Sequence, residues 1–260
     1  MIGVTVLGSG SRGNSLVVHG EDGAILVDAG FSMRQTRIRL EEAGVDIRTI
    51  KAIVVSHEHT DHVKGLRVAA KQLKVPVYCN RNTGTMLKDR EICPDTLHLF
   101  SAGASFMIGE FMVQPFSIPH DAMDPVGFTI SNRDMRVGIA TDLGHVNNLV
   151  CHHLRESEIL VVESNHDLNL PRRSSRPWSL KQRILSRHGH LSNDATLELL
   201  ARVLHERTRH LILAHASQDC NRYDLVASHV SNGLKALGRT DLTPHVATQD
   251  KWLPTMWAAD

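Results

Sequence analysis

Ser56-His57-Glu58-His59-Thr60-Asp61-His62 sets three histidines and two acids at consecutive positions 57 to 62. The stretch follows Ile50 to Val55, whose β-branched run reads as a buried strand, and it precedes Val63 to Lys74, which reads as a helix. His57 and His59 alternate, so on an extended segment both point to the same side and can share one metal ion. Asp61 and His62 fall at the turn into the helix, where they can aim at a second ion beside the first. Two ions roughly 3.5–4 Å apart form the arrangement that clamps both oxygens of a phosphoryl displacement. The competing reading is a polar surface loop with coincidental histidines. Four ligand-type residues at this spacing, directly after a core strand, speak against it.

The rest of the chain bounds what such a site can serve. It has 260 residues, 42% hydrophobic and 22% charged, with Lys+Arg 29 against Asp+Glu 28. That balance excludes a strongly basic nucleic-acid coat and an acidic tail, though a local basic patch is compatible with it. No apolar run approaches the roughly 20 residues of a membrane span, and Met1-Ile2-Gly3-Val4-Thr5-Val6 lacks the marks of a signal peptide. Cys79, Cys93, Cys151 and Cys220 form no CxxC pair and read as small core residues in a reducing setting. The expectation is a soluble, cytoplasmic protein without membrane partners.

Strand-like runs at Val4 to Leu7, Leu16 to Val18, Ala24 to Val27, Phe111 to Val113, Val126 to Ile130, Met135 to Ala140, Ile159 to Val162 and His210 to Ala214 alternate with helical stretches. Arg34 to Ala43 is one of these, and Ser192-Asn193 caps another running to about His205. Asn132-Arg133-Asp134 reads as a hairpin turn, and Asn165 to Pro177 as a loop. No linker or composition shift divides the chain, so residues 1–260 are expected to form one α/β domain. Gly8-Ser9-Gly10-Ser11-Arg12-Gly13 spells the dinucleotide fingerprint, with Asp28 twenty residues past Gly8. The last glycine of that fingerprint must open a helix facing the pyrophosphate, but here Asn14-Ser15-Leu16-Val17-Val18 continues as a strand. A tight turn is the better reading, and its N–H groups can still face an anion.

The HxHxDH spacing at a strand end resembles the signature of the metallo-β-lactamase-fold hydrolases. Three further residues stand at strand ends in the order that family asks for: His120 after Phe116-Ser117-Ile118-Pro119, Asp142 after Gly138-Ile139-Ala140-Thr141, and His215 after Leu211 to Ala214. Gly8 to Asn14, Asp28-Ala29-Gly30, Pro125 to Phe128, Thr141 to Gly144, Glu163 to Asp167 and Gly189 to Asn193 are similar to the YycJ/WalJ-type branch, which is related to PhnP phosphodiesterases and ribonuclease Z. The resemblance implies an αββα four-layer sandwich with the site at one edge. It also implies that His57, His59 and His120 hold one divalent ion, that Asp61, His62 and His215 hold another, and that Asp142 bridges them. The ions would be Zn²⁺ or Mn²⁺, since the shell mixes imidazole with carboxylate oxygen.

The implied activity is phosphodiester hydrolysis by a hydroxide bridging two metals, most specifically 5′→3′ exonuclease action on DNA. A small cyclic phosphodiester or RNA is the alternative substrate. Beside the metal ligands, the groups expected to act are His190, Asp61 and Glu163. His190 would touch the phosphate and protonate the leaving oxygen; the plainer reading is a histidine bonding the backbone at a helix start. Glu163 ends a buried strand, where a carboxylate needs a partner; orienting His190 and a structural hydrogen bond both fit. Asp28 reads as a buttress for a metal ligand. His166 and Asp167 stay open between a role in the site and a role in the loop. Arg172, Arg173 and Arg176, beside Trp178, form either a solvated loop or a track for a nucleic-acid backbone. The other histidines, His19, His98, His153, His210 and His245 among them, read as surface or structural residues on loops and polar helix faces.

Overall fold

The aliphatic runs pair into two seven-stranded sheets. The structure is a computed structural model that describes residues 1–170 and 178–259, with the backbone alone at 178–180. The first sheet holds β1 (Gly3–Gly8), β2 (Ser15–His19), β3 (Ala24–Val27), β4 (Ile50–Val54), β5 (Val77–Asn80) and β6 (Leu97–Phe100). The second holds β7 (Phe106–Ile108), β8 (Phe111–Ser117), β9 (Val126–Asn132), β10 (Met135–Ala140), β11 (Ile159–Glu163), β12 (His210–Ala214) and β13 (Pro244–Val246). A short β14 (Met256–Trp257) returns to pair antiparallel with β1 and closes that edge of the first sheet. Both sheets are mixed: β3 to β6 and β10 to β13 run parallel within their sheets, and the remaining pairs are antiparallel.

The sandwich follows from the period-two alternation of fully apolar strands. In β3, Ile25 and Val27 face the second sheet while Leu26 faces helices; in β11, Ile159 and Val161 face inward while Leu160 and Val162 face outward. The inward set meets in one core with Val4, Val54, Val113 and Phe128. The outer face of the first sheet is covered by α1 (Met33–Glu42), α2 (Thr60–Val63), α3 (Leu66–Leu73) and α4 (Arg81–Asp89), through Leu40, Leu66 and Leu87. That of the second is covered by α5 (Asn148–Leu154), α7 (Asn193–Val203) and α8 (Tyr223–Ala236), through Leu154, Leu199 and Val230; α6 (Trp178–Ile184) lies between α5 and α7 in the chain. The architecture is the expected αββα sandwich. Among the described residues no helix is long and apolar enough to cross a membrane.

Several local readings need correction. The helix expected over Val63 to Lys74 is two helices broken at Gly65, whose N–H donates to the Ala29 carbonyl at 2.8 Å. A Cβ at Gly65 would stand 1.8 Å from the Phe31 carbonyl oxygen, so close backbone packing decides the break. β8 runs on to Ser117 because β9 pairs with it as far as Ser117 opposite Val126. The helix capped by Ser192 ends at Val203, before His205. His19, His98, His210 and His245 lie on strands, and His153 is buried flat against Phe116, ring centroids 4.7 Å apart. Where the dinucleotide fingerprint would need a helix, β2 begins at Ser15.

Gly30 marks the tightest contact. Its ideal Cβ would lie 1.7 Å from the Asp61 carbonyl oxygen and 2.6 Å from the Asn14 nitrogen, inside the bond by which Asn14 N–H donates to Asp61 at 2.8 Å. Gly30→Ala is expected to cost at least about 3 kcal/mol, at the top of the range for overpacking, and to lower the unfolding midpoint by on the order of 10 °C. Thermal unfolding checks this; an unchanged midpoint would contradict the packing described.

Candidate metal centre and active site

Strand ends deliver the site. The histidine-rich stretch follows β4, His120 follows β8, Asp142 follows β10, Glu163 ends β11 and His215 follows β12. Parallel pairing sets Ala140 opposite Val162 and Glu163 opposite Ala214, so the last three segments open at one level. Asp28, Asp142 and His215 turn off their strands in left-handed backbone, with φ of 60°, 57° and 56°. Each such turn costs roughly 1–2 kcal/mol in a non-glycine residue, and these three fall where strands give way to the site.

The seven residues expected to bind metal meet in overlapping groups, His57 with His59 and His120, Asp61 with His62 and His215, and His57 with His62 and Asp142, each with donor atoms within 4.8 Å of one another. His59 Nδ1 and His120 Nε2 are 3.3 Å apart. Asp61 Oδ2 lies 3.3 Å from His215 Nε2 and 3.5 Å from His62 Nε2. Asp142 spans the two groups, its Oδ2 3.1 Å from His62 Nε2 and its Oδ1 3.5 Å from His215 Nε2 and 3.8 Å from His120 Nε2. A tetrahedral shell with donors about 2.0–2.1 Å from an ion has edges of about 3.3 Å, so these spacings suit divalent cations. The orphaned Nε2 of His57 supports the fit: it is fully buried without a hydrogen-bond partner, a costly state unless a ligand occupies it.

Outer contacts aim these donors. Asp28 accepts from His62 Nδ1 at 2.7 Å and from the Ser56 N–H and hydroxyl at 2.8 Å, leaving His62 Nε2 toward the centre. His120 Nδ1 donates to the Gly189 carbonyl at 3.0 Å. The Asn14 amide donates to Asp61 Oδ2 at 3.0 Å, while its oxygen accepts from Ser9 and Gly10. The N–H groups of Ser9, Gly10, Arg12, Gly13 and Asn14 in the glycine-rich turn are bonded within the protein, to Thr248, Asn14, Gln249, Gly10 and Asp61 respectively, so these five do not face an anion.

Glu163 is fully buried and serves two histidines at once. Its Oε1 accepts from His190 Nδ1 at 2.8 Å and from His215 Nδ1 at 3.0 Å, and its Oε2 accepts from the N–H groups of Leu143 and Leu191. Burial alone would raise the Glu163 carboxyl, but the charge and hydrogen bond of His190 outweigh it and pull the value down to about 2. Burial opposes charge on Asp61 and Asp142 as well; His62 and His215 outweigh it and hold both carboxyls well below the usual range. His62 and His215 are raised in turn, against burial, by the carboxylates around them, whereas burial and the neighbouring His62 push His57 well below its ordinary value. Imidazole binds a metal ion only in its neutral form, so cation binding at this centre releases protons.

His59, Asp61, Asp142, His190 and His215 border a cavity of about 210 Å³, also lined by Ser11, Asn165, Arg183, Ile184 and Ser217. With Nδ1 of His190 held by Glu163, its Nε2 is the ring atom left for chemistry, and the side chain keeps 18% of its surface exposed. Asn165 donates to the His215 carbonyl at 2.7 Å, His166 is buried with its backbone carbonyl accepting from Asn193, and Asp167 caps the following turn. Arg183 and Asp121 carry no sequence signal; tertiary packing brings them to the cavity and to His120. Arg172, Arg173 and Arg176 lie outside the described residues, as does the side chain of Trp178.

The beta-lactamase superfamily domain matches residues 24–216. The chain is 36% identical over 236 residues to exodeoxyribonuclease YycJ of Bacillus anthracis, covering 90% of this chain and 89% of that protein. It is 31% identical over 234 residues to exodeoxyribonuclease WalJ of Streptococcus pneumoniae, covering 88% and 87%. The metallo-β-lactamase-fold protein YhfI from Bacillus subtilis superposes with a TM-score of 0.72 at 15% identity, over 97% of this chain and 99% of that one. The chain therefore belongs to the metallo-β-lactamase superfamily, in the branch of the YycJ and WalJ proteins, and is a hydrolase whose fold binds divalent metal.

Proposed function

We propose that this chain is a two-metal phosphodiesterase that acts as a 5′→3′ exonuclease on DNA. The observation that carries the reading is the position of His190, its Nδ1 fixed by Glu163 and its side chain on the wall of the cavity that His59, Asp61, Asp142 and His215 also line. His57, His59 and His120 would hold one divalent ion, and Asp61, His62 and His215 the other, with Asp142 between them. When bound, such ions neutralise phosphate oxygens and acidify a water that serves as nucleophile. The imidazole-rich set suits zinc, and the carboxylates admit manganese. His190 donates its Nε2 proton to the departing O3′ as the P–O3′ bond breaks, and Glu163 stabilises the imidazolium beforehand. Glu163 is a positioning residue, since it reaches the reaction through His190 and His215. The exodeoxyribonuclease names of the two relatives support DNA as substrate.

A second reading, a cyclic phosphodiesterase, is favoured by the small cavity, which lies below the roughly 300–1,000 Å³ of ordinary ligand pockets. One assay separates them: single- and double-stranded DNA labelled at either end, RNA, and a 2′,3′-cyclic nucleotide, each with Mn²⁺ or Zn²⁺. Mononucleotides released stepwise from DNA 5′ ends are expected. Turnover of the cyclic ester alone would replace the exonuclease reading with the second one.

A further inference from the structure

We infer that Arg183 recognises a phosphate flanking the scissile one and thereby favours polymeric substrates over isolated phosphodiesters; this rests on the phosphodiesterase reading above. The cavity is small for a ligand site and already borders Asp61, Asp142, His190 and His215, so it has room for the reacting group and little more. The rest of a strand must leave through its mouth. Arg183 stands there, lining the cavity with its side chain 55% exposed.

Its surroundings distinguish it from an ordinary surface cation. The Arg183 Nε donates to Asp121 Oδ2, and Asp121 Oδ1 lies 3.3 Å from His120 Nε2. The guanidinium thus stands one carboxylate away from a histidine of the centre. Of its five N–H donors, the Nε–H serves Asp121, and the planar fork suits a phosphate. The backbone joins Arg183 to the proton donor as well. The Ile184 carbonyl accepts from His190 N–H at 3.1 Å, and a Cβ at Gly189 would stand 2.2 Å from the Arg183 carbonyl oxygen. The end of α6 and the His190 loop therefore form one packed unit, which fixes the distance between the flanking-phosphate contact and the leaving oxygen.

The plainer role is an exposed ion pair with Asp121, which would contribute at most about 1 kcal/mol of stability and nothing to substrate choice. Steady-state kinetics of wild type, Arg183→Ala and Arg183→Lys on a DNA oligonucleotide and on bis(p-nitrophenyl) phosphate, which has no flanking phosphate, separate the two. Arg183→Ala is expected to lose roughly 10–100-fold in kcat/KM on the oligonucleotide, mainly through KM, with a salt dependence shallower by about one contact. The loss on the small ester should be at least about fivefold smaller than that on the oligonucleotide, and Arg183→Lys should recover part of the oligonucleotide loss, since a lysine still offers a point charge. Equal losses on both substrates, or none on the oligonucleotide, would overturn the inference while leaving the phosphodiesterase reading in place. A wild-type chain inactive on both would overturn the two together.

Discussion

Asp142→Asn is expected to reduce phosphodiester turnover by more than about 10³-fold, beyond the roughly 10–100-fold typical when a group that merely orients a ligand is lost. The carboxylate is 2% exposed, and its two oxygens reach toward His62 on one side and toward His120 and His215 on the other. Asparagine keeps the volume and tolerates the left-handed backbone, with φ of 57°, better than alanine does. The substitution therefore removes charge with little added strain. Bound metal should fall from about two ions per chain toward one or none, because a bridging carboxylate serves both ions at once. Metal analysis beside kinetics checks this. A variant retaining both ions and near-wild turnover would show that Asp142 does not join the two groups.

His190→Ala should lose about 10²–10⁴ in turnover on DNA while keeping both ions and the fold. The Asp142, Glu163, His190 and His215 donors also lie within 4.8 Å of one another, so His190 has the proximity of a ligand. Within that set the Nδ1 atoms of both His190 and His215 are committed to one oxygen of Glu163, so only Nε2 of His190 is left, and the ion count of the variant separates proton donor from ligand. A proton donor matters only where the leaving group needs a proton. The loss should therefore shrink on a p-nitrophenyl ester, whose phenolate departs unprotonated. Equal losses on both substrates, or a missing ion in the variant, would assign His190 to metal binding instead.

Much of the centre is legible in the chain because metal chemistry restricts both residue type and spacing. His57, His59, Asp61 and His62 can be read from six positions after a β-branched strand. His120, Asp142 and His215 are visible only as strand-end residues matched to a family pattern; no local periodicity marks them. The short strands Val77–Asn80 and Leu97–Phe100 are too brief to show a period of two and are invisible until they pair. The helix break at Gly65 is equally hidden, since a glycine's meaning there depends on the Phe31 carbonyl from another segment. Glu163 was legible as a buried acid needing partners. That it serves His190 and His215 together depends on the parallel register of β11 and β12, which no single strand reveals. Arg183 reaches the cavity through tertiary packing alone.

Titration of metal-stripped protein with Mn²⁺ or Zn²⁺, following DNA turnover against bound metal per chain, tests the two-ion phosphodiesterase most directly. Turnover is expected to be absent without metal and to reach its plateau at about two bound equivalents, one for each donor group. A plateau at a single equivalent, or undiminished turnover in the stripped protein, would contradict it.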